Sequence, residues 1–392
     1  MAHTHFVFYS IVLNNHQAMV ADELWELTEH SYCFVELVKP SAENSKGGGN
    51  AFCKRPYLLK AWESAESWNK AMDLAREADC CVFSGVPALP FQQERMRLGK
   101  LSFDMSERWL KRGWINLFSP AILQMTFAYL RGGWGRKPLF KLCCSGFAAE
   151  DHRRLGMYRG RCFKWGYFTE VPQKSLTTKT SFQNPVSLMW CARYLDWKHP
   201  ELPVLMAERL KNEGYKFHLD MCGEGEWRQA AELMVRERGL EDCVSFIGNR
   251  PNAELLEDMG RHDIFLFTSD RNEGWGAVAN ESMAQGCALV ASEAIGSTPY
   301  LIQDGVTGLI FNAPSTRSGF AKPDRQALDS LCEKVRWLLD NPEKAAEIRT
   351  KASRFMREVY SPRVAAERLL KLIEALKGGQ PTPFADGPCS QS

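Results

Sequence analysis

The second half of the chain alternates short apolar runs with segments whose apolar residues recur at helical spacing. Such runs predict buried strands, and their regular alternation with helices predicts a doubly wound parallel sheet. The predicted strands cover residues 186–192, 216–222, 244–247, 264–268 and 288–291. The predicted intervening helices cover residues 203–213, 229–238 and 252–259. A further helix is predicted directly after the fourth strand, where the chain passes through a Gly-Trp-Gly turn.

The first half follows the same α/β pattern less clearly. Strands are predicted at residues 6–12 and 80–84, and helices at 17–29 and 63–78. Between residues 96 and 165 the pattern blurs, because aromatic and basic residues interrupt the apolar runs. The predicted organisation is an acceptor-side domain at 1–171, a polar linker at 172–185 and a second domain at 186–361. The predicted organisation ends with a helix at 362–377 and a tail at 378–392. The tail is rich in Gly, Pro and Ser and is predicted to be disordered.

Composition narrows the function classes. The chain has 392 residues, 45% of them hydrophobic and 24% charged, which is typical of a globular protein with two domains. Its net charge of +2 argues against nucleic acid as a partner. The thirteen cysteines form no zinc-binding spacing, so reduced thiols and a cytoplasmic location are expected. No apolar run is long enough to cross a membrane, although a peripheral position on the inner membrane face is compatible with the sequence.

Two glutamates, Glu273 and Glu281, flank the Gly-Trp-Gly turn at a spacing of eight residues. A turn that opens a helix exposes backbone N–H groups, and the helix dipole favours a diphosphate there. Carboxylates repel phosphate, so these two are better suited to accept hydrogen bonds from sugar hydroxyls. The arrangement therefore predicts a nucleotide-sugar site. The alternative is that both glutamates lie on solvated helix faces.

Over residues 184–308 the chain resembles the retaining family 4 glycosyltransferases of GT-B fold. The pieces that carry the resemblance follow one another in the order MWCARYLDWKHPE, FHLDMCGEGE, VSFIGNRP and DIFLFTSDRNEGWGAVANESMAQGCALVASEAIGSTPYLIQDGVTGLIF. The resemblance implies two Rossmann-like domains that face a central cleft, with the helix at 362–377 crossing back to the first domain. It also implies transfer of a sugar from a nucleoside diphosphate donor with retained anomeric configuration, as in capsular or surface polysaccharide assembly.

The resemblance also implies roles for individual residues. Glu281 accepts hydrogen bonds from the ribose, and Glu273 lies near the transferred sugar, where it contacts hydroxyls or shields the oxocarbenium-like cation. Trp275 stands where the family often has Phe. The implied donor-binding set also comprises Gly223, Gly225, Asn249, Arg250, Gly274, Gly276, Ala277 and Val278. Tight turns are the alternative reading of the Gly223 and Gly225 pair.

Arg193 and Lys198 follow the first predicted strand of the second half. Side chains at the carboxyl end of such a strand project into the ligand crevice. A planar guanidinium and an ammonium suit the negative charge that develops on a departing diphosphate. No Asp-x-Asp motif follows a strand, so we expect metal-independent chemistry with no cofactor. The alternative is that both cations belong to a surface loop.

Two features of the first half each allow two interpretations. His16, in the sequence Asn-Asn-His-Gln, either reaches the donor phosphates or acceptor, or is solvated beside a helix cap made by Asn14 or Asn15. Asp104, Glu107 and Arg108 either read the acceptor or form an ordinary salt-bridged helix.

The segment 131–164 is basic and rich in aromatic residues, which suits an anionic membrane face next to a lipid-linked acceptor. A solvated face over core aromatic residues is the alternative. For the whole chain, the expected partners are a nucleotide-sugar and a glycan or lipid-linked acceptor. The competing functions are a GT-B sugar-nucleotide epimerase and a non-catalytic sugar-nucleotide-binding protein.

Overall fold

A computed structural model describes residues 5–41, 52–132, 138–172, 182 and 184–392. The chain divides into an N-terminal unit, Met1–Thr169 with Val359–Ser392, and a C-terminal unit, Glu170–Glu358. Most of the predicted linker at 172–185 lies outside the described residues. Within those residues, no helix is long and apolar enough to cross a membrane.

The N-terminal unit is built on a seven-stranded sheet in the order β3-β2-β1-β4-β5-β6-β7, with every neighbouring pair parallel. Its strands are β1 Phe6–Ser10, β2 Tyr32–Glu36, β3 Leu58–Lys60, β4 Cys80–Ser84, β5 Ser102–Ser106, β6 Leu139–Cys143 and β7 Cys162–Lys164. Its first helices are α1 Asn15–Leu27, α2 Ala65–Glu77, α3 Leu89–Leu98, α4 Pro120–Arg131 and α5 Ala148–Arg154. The strand order reverses at β1, which is the switch point of a doubly wound sheet.

The C-terminal unit repeats this plan with a six-stranded parallel sheet in the order β10-β9-β8-β11-β12-β13. Its strands are β8 Val186–Cys191, β9 Phe217–Cys222, β10 Val244–Gly248, β11 Ile264–Phe267, β12 Ala288–Ser292 and β13 Leu309–Phe311. Its helices are α6 Glu201–Asn212, α7 Arg228–Glu237, α8 Asn252–Arg261, α9 Val278–Ala284, α10 Thr298–Leu301, α11 Arg325–Asp340 and α12 Pro342–Glu358. The last helix of the chain, α13 Pro362–Lys377, lies in the N-terminal unit.

The central strands of the C-terminal sheet are buried on both faces, which explains why they read as continuous apolar runs. All residues of β11 and β12 are buried, and their neighbour β8 is buried from Leu188 onward. Helices α6, α7 and α11 supply the apolar side chains that complete this core. The two parallel-sheet α/β units confirm the predicted fold class.

The blurred region of the N-terminal unit contains strands and not the predicted surface helix at Asp104. Asp104 lies in β5, opposite Lys141 of β6, and its Oδ2 accepts hydrogen bonds from Lys141 Nζ at 2.9 Å and Tyr158 Oη at 2.8 Å. A buried ion pair between two strands interrupts the apolar pattern by which strands are recognised. Arg108 contacts the buried carboxylate of Asp151 at 3.4 Å, so it is not a helix-surface residue either.

The aromatic residues of the basic segment 131–164 do not form an exposed surface. Tyr158 and Phe163 are buried, Phe140 and Phe147 are half-buried, and Trp134 lies outside the described residues. Among the basic residues, Arg153 and Arg154 both bind Glu150. The alternative reading, core aromatic residues beneath a solvated face, is the better description of the part of the segment that the structure describes.

The C-terminal tail is ordered, contrary to the predicted disorder. Cys389 N donates to Lys164 O at 2.7 Å, Lys164 N donates to Ser390 O at 2.8 Å, and Ser392 N donates to Cys162 O at 2.9 Å. The side chains of Cys389 and Ser390 are buried. Arg368 of α13 fixes the approach by donating to the carbonyls of Asp386 and Pro388. Backbone pairing with β7 thus orders a segment whose composition alone is typical of disorder.

Candidate active site

The loop between β11 and α9 is fixed to the loop that follows β8. Thr268 Oγ1 donates to Lys198 O at 2.7 Å and accepts from Trp190 Nε1 at 2.8 Å. Asp270 N donates to Trp197 O at 3.0 Å. Both loops leave neighbouring parallel strands at their carboxyl ends, where a doubly wound sheet binds its ligand. The polar residues at positions 268–270 are fully buried, so the site rests on a rigid base.

Lys198 and Glu273 form an ion pair at this edge, although 75 positions separate them in sequence. Both side chains are close to nine-tenths buried. Ser269 Oγ donates a second hydrogen bond to the same carboxylate oxygen at 3.0 Å. The Lys198 ammonium also lies 4.3 Å from the Trp197 ring centre. Two of the predicted catalytic residues are therefore in direct contact.

The Gly-Trp-Gly turn packs tightly beneath this pair. Gly276 has a φ of +83°, and a Cβ there would come within 2.2 Å of the Phe267 ring. Trp275 is fully buried, and its Nε1 donates to Asn280 Oδ1 at 2.8 Å. The buried indole, bonded to α9, is a core side chain that fixes the turn, and the place of Trp275 in the donor-binding set stays a prediction.

Backbone groups at the start of α9 are available to a ligand. The N–H groups of Gly276, Ala277 and Val278 have no acceptor within the part of the chain that the structure describes. The first turn of any helix leaves such groups unpaired. Gly274, which precedes them, is buried. The predicted anion-binding turn thus has free donors at Gly276, Ala277 and Val278.

Glu281 lies inside α9, and its buried carboxyl group has no hydrogen bond or ion pair among the described residues. Burial raises the pKa of its carboxyl group from 4.5 to about 7. A buried carboxylate without partners is unfavourable in the ligand-free protein. Hydrogen-bond donors of a ligand would relieve that cost.

A buried charge network lies behind Lys198 and was not predicted from the sequence. His199 Nδ1 lies 2.8 Å from Glu201 Oε1, and its Nε2 lies 3.6 Å from Asp270 Oδ2. Burial alone would lower the pKa of His199, but hydrogen bonds and charges from Asp270 and Glu201 raise it to about 9. The imidazolium therefore joins the loop of Lys198 to the loop of Glu273. The signal was the sequence Lys-His-Pro-Glu, in which His and Glu are two residues apart.

The remaining predicted donor residues lie at neighbouring strand ends. A Cβ at Gly223 would come within 2.0 Å of Ala192 O, and one at Gly225 within 2.6 Å of Tyr194 O. This close approach is to the chain's own backbone, which is the tight-turn reading of the pair. Asn249 and Arg250 follow β10 and are exposed, and Arg250 Nε lies 3.7 Å from Asp258 Oδ2 of α8.

Arg193 is exposed just beyond β8 and forms no ion pair with any described residue. Its guanidinium is therefore available to an anion. Within the described residues, no cluster of His, Cys, Asp or Glu could hold a metal ion.

His16 belongs to the N-terminal unit. Its ring stacks on Tyr167 at 5.2 Å between centres, and its buried Nδ1 has no hydrogen-bond partner among the described residues. Burial lowers the pKa of His16 to about 4, against the opposing charge of Glu107. Asn14 Oδ1 caps α1 by accepting from Gln17 N, so the capping alternative is correct, although His16 is not solvated. Its predicted catalytic role stays a prediction.

Beside His16, a pocket of about 540 Å³ lies at the carboxyl ends of β1, β4 and β5. Glu107 in its wall accepts hydrogen bonds from Tyr167 Oη at 2.7 Å and Lys111 Nζ at 2.8 Å. Glu107 is therefore a pocket residue, and its pairing with Lys111 holds both side chains in the wall.

Part of the chain is similar in sequence to known glycosyltransferases. Residues 178–355 match the family of glycosyl transferases group 1. The chain is 29% identical over 143 residues to the amylovoran biosynthesis glycosyltransferase AmsK of Erwinia amylovora, covering 35% of each protein. It is 38% identical over 96 residues to the D-inositol 3-phosphate glycosyltransferase of Corynebacterium aurimucosum, covering 24% of this chain and 22% of that protein. The matched part thus spans about a third or less of these relatives.

Solved structures extend the likeness in fold to nearly the whole chain. The Anabaena protein HepE, solved in complex with UDP, superposes with a TM-score of 0.68 at 13% identity, covering 95% of this chain and 99% of HepE. The fold is therefore GT-B. The prediction of a glycosyltransferase domain is confirmed for residues 178–355.

Proposed function

We propose that the chain is a retaining, metal-independent glycosyltransferase of family 4. It would move a sugar from a nucleoside diphosphate donor to a glycan or lipid-linked acceptor in surface polysaccharide assembly. One observation carries the proposal: around a single turn lie the Lys198–Glu273 pair, three free backbone N–H groups and the unpartnered carboxylate of Glu281. Cations and N–H groups suit a diphosphate, and carboxylates suit hydroxyl groups.

In the proposed reaction, the bond between the anomeric carbon and the β-phosphate oxygen breaks as negative charge builds on that oxygen. Lys198 and Arg193 stabilise this charge more in the transition state than in the bound donor. The acceptor oxygen bonds to the same face of the sugar, and its proton passes to the departing phosphate. Glu273, held by Lys198 and Ser269, contacts the sugar or shields its positive charge.

The acceptor would be read by the N-terminal unit, whose pocket presents the Glu107 carboxylate and the amide groups of Asn14 and Asn116. Such groups suit sugar hydroxyls. The relatives that match this part of the chain are named as an amylovoran biosynthesis glycosyltransferase and a D-inositol 3-phosphate glycosyltransferase, so the similarity alone does not select one acceptor. The acceptor is therefore proposed only as a glycan or a lipid-linked glycan.

Transfer assays test the proposal. UDP-glucose is the first donor to try, because HepE was solved with UDP. A thermal-shift screen of UDP-, GDP- and ADP-sugars selects the donor, since a ligand that binds only the folded state raises the melting temperature. Proton NMR of the product should show the donor's anomeric configuration, and turnover should persist in EDTA. Inverted configuration contradicts retention, and activity that is lost in EDTA and restored by Mg²⁺ or Mn²⁺ contradicts metal independence. Conversion of the donor to its epimer without acceptor would indicate an epimerase.

Replacing Glu281 with Gln should change stability and donor affinity in opposite directions. Because its pKa is raised in the folded state from 4.5 to about 7, the folded protein binds the extra proton between these values. Stability contributed by this group therefore falls as pH rises through that window and stays low above it. Glu281→Gln should remove this loss of stability, so that the free energy of unfolding rises by about 3 kcal/mol above pH 7.

The same substitution should weaken donor binding by about tenfold or more, since hydrogen bonds to a charged acceptor contribute about 1.5–3 kcal/mol each. Urea unfolding at several pH values and calorimetry with the nucleoside diphosphate measure the two effects. Glu257→Gln, on the exposed side of α8, is the matched control and should change neither. Unchanged donor affinity in Glu281→Gln would remove Glu281 from the site.

A further inference from the structure

The N-terminal unit exposes a continuous apolar patch between β5 and β6. We define the α4 patch by its exposed side chains, which are Trp114, Ile115, Phe118, Leu123, Phe127 and Leu130. Phe118 is 81% exposed and Phe127 63%, far more than a core residue or an incidental surface aromatic. A 3₁₀ turn at Gly113–Phe118 carries the first three residues, and α4 carries the others.

The patch is the outer face of an amphipathic helix. Leu123, Phe127 and Leu130 follow one another at spacings of four and three, which puts them on one side of α4. Ile122 and Tyr129, on the other side, are buried in the core of the N-terminal unit with Trp109. The inner face thus anchors α4, while nothing among the described residues covers its outer face.

Along the sequence, the charge within and on both sides of the patch is of one sign. Between Arg108 and Ala149 the sequence contains no Asp or Glu. Arg112 and Arg131, at the two ends of the patch, are exposed and have no carboxylate partner within the ranges that the structure describes. Arginines that flank apolar and aromatic side chains suit a surface that is negative at its boundary and apolar beneath.

We propose that the α4 patch docks onto an anionic lipid bilayer. The six apolar side chains enter the boundary between headgroups and acyl chains, where Trp is favoured, and the two arginines contact lipid phosphates. A second copy of the chain is a poorer partner. In a symmetric dimer the patch of one copy packs against the same patch of the other, so that the arginines at positions 112 and 131 of the two copies repel one another. A bilayer supplies the opposite charge.

The patch adjoins the pocket of the N-terminal unit. Asn116 from the 3₁₀ turn, and Ile122 and Met125 from α4, line that pocket. Docking would therefore hold the pocket beside the headgroups, within reach of the polar end of a membrane-embedded acceptor. This step rests on the proposed function and selects the lipid-linked class of acceptor, whereas docking itself requires no transfer activity.

Co-sedimentation of the full chain with vesicles tests the proposal. The wild-type chain should bind vesicles of phosphatidylglycerol and phosphatidylethanolamine, bind pure phosphatidylcholine less, and be released by salt. The double variant Phe118→Ser, Phe127→Ser should lose about a hundredfold in affinity, on the order of tenfold for each buried aromatic side chain. Arg112→Ser with Arg131→Ser should weaken binding to the anionic vesicles alone. Leu233→Ser, at an apolar residue on α7 that is 48% exposed, as Leu130 of the patch is, is the control and should bind like wild type.

Three outcomes would overturn the docking. One is that wild-type protein fails to bind anionic vesicles at low salt. Another is that the double variant binds like wild type. The third is that sedimentation without lipid shows a wild-type dimer that the double variant dissociates, because the patch would then be a protein interface. Circular dichroism and donor affinity, expected to be unchanged, show that the variants are folded, and they keep this test separate from that of the transfer.

Discussion

Lys198→Ala should slow sugar transfer by a factor on the order of 10²–10³ and also destabilise the protein. The kinetic loss follows from removing a cation at the departing diphosphate. The loss of stability follows from the ion pair, because truncating Lys198 leaves the buried carboxylate of Glu273 without its partner. Breaking a buried pair in this way costs about 3 kcal/mol or more. Steady-state kinetics and urea unfolding measure the two effects.

Arg193 provides the matched comparison. It is exposed and unpaired among the described residues, so Arg193→Ala should slow transfer to a similar extent with no change in the urea midpoint. The double variant Lys198→Ala, Glu273→Gln separates the effects further. It should recover most of the lost stability, because a neutral amide is cheaper to bury than a charge, while turnover stays low. If Lys198→Ala is unstable but fully active, Lys198 is only a structural partner of Glu273.

The second large effect concerns Gly223. Its φ is +124°, and a Cβ would come within 2.0 Å of Ala192 O, a backbone atom that cannot move aside as a side chain can. Gly223→Ala should therefore lower the free energy of unfolding by about 3 kcal/mol or more, the sum of overpacking and of the unfavourable φ. Ala192 precedes Arg193, so donor affinity should also fall as the loop after β8 is displaced.

Gly214 is the control for this substitution. Its φ is +87°, but no atom lies within 4 Å of a Cβ built there. Gly214→Ala should therefore lower the free energy of unfolding by only about 1–2 kcal/mol, the contribution of the unfavourable φ. Urea unfolding of the two variants isolates the contribution of close approach. Equal losses would mean that the contact with Ala192 is relieved without cost.

The C-terminal sheet was predictable because its strands are buried on both faces. A buried strand needs apolar residues at every position, so β11 and β12 appear as unbroken runs. In the N-terminal unit, the Asp104–Lys141 pair joins adjacent strands. Each charged residue, taken alone, indicates a solvated position. The two charges are compatible with burial only because the strand register places Asp104 opposite Lys141. A pattern that is read one segment at a time contains no information about that register.

The site was predictable where the chemistry is local and not where it depends on distant contacts. Glu273 and Glu281 are ordered by one turn and one helix, so their spacing around the Gly-Trp-Gly turn, between a strand and a helix, was sufficient to predict that both lie at that turn. The burial of Trp275 depends on Asn280 and Tyr300, and the pairing of His199 with Asp270 joins two loops. Neither contact has a signature in the spacing of residues.

The tail that pairs with β7 has a consequence for handling the protein. An edge strand with free N–H and C=O groups is a template on which strands of other molecules can add. Residues 389–392 occupy those groups on β7, and Arg368 holds the tail in place. A chain shortened after α13 would leave this edge open to aggregation. The segment whose composition makes it look dispensable is thus the one that closes the sheet.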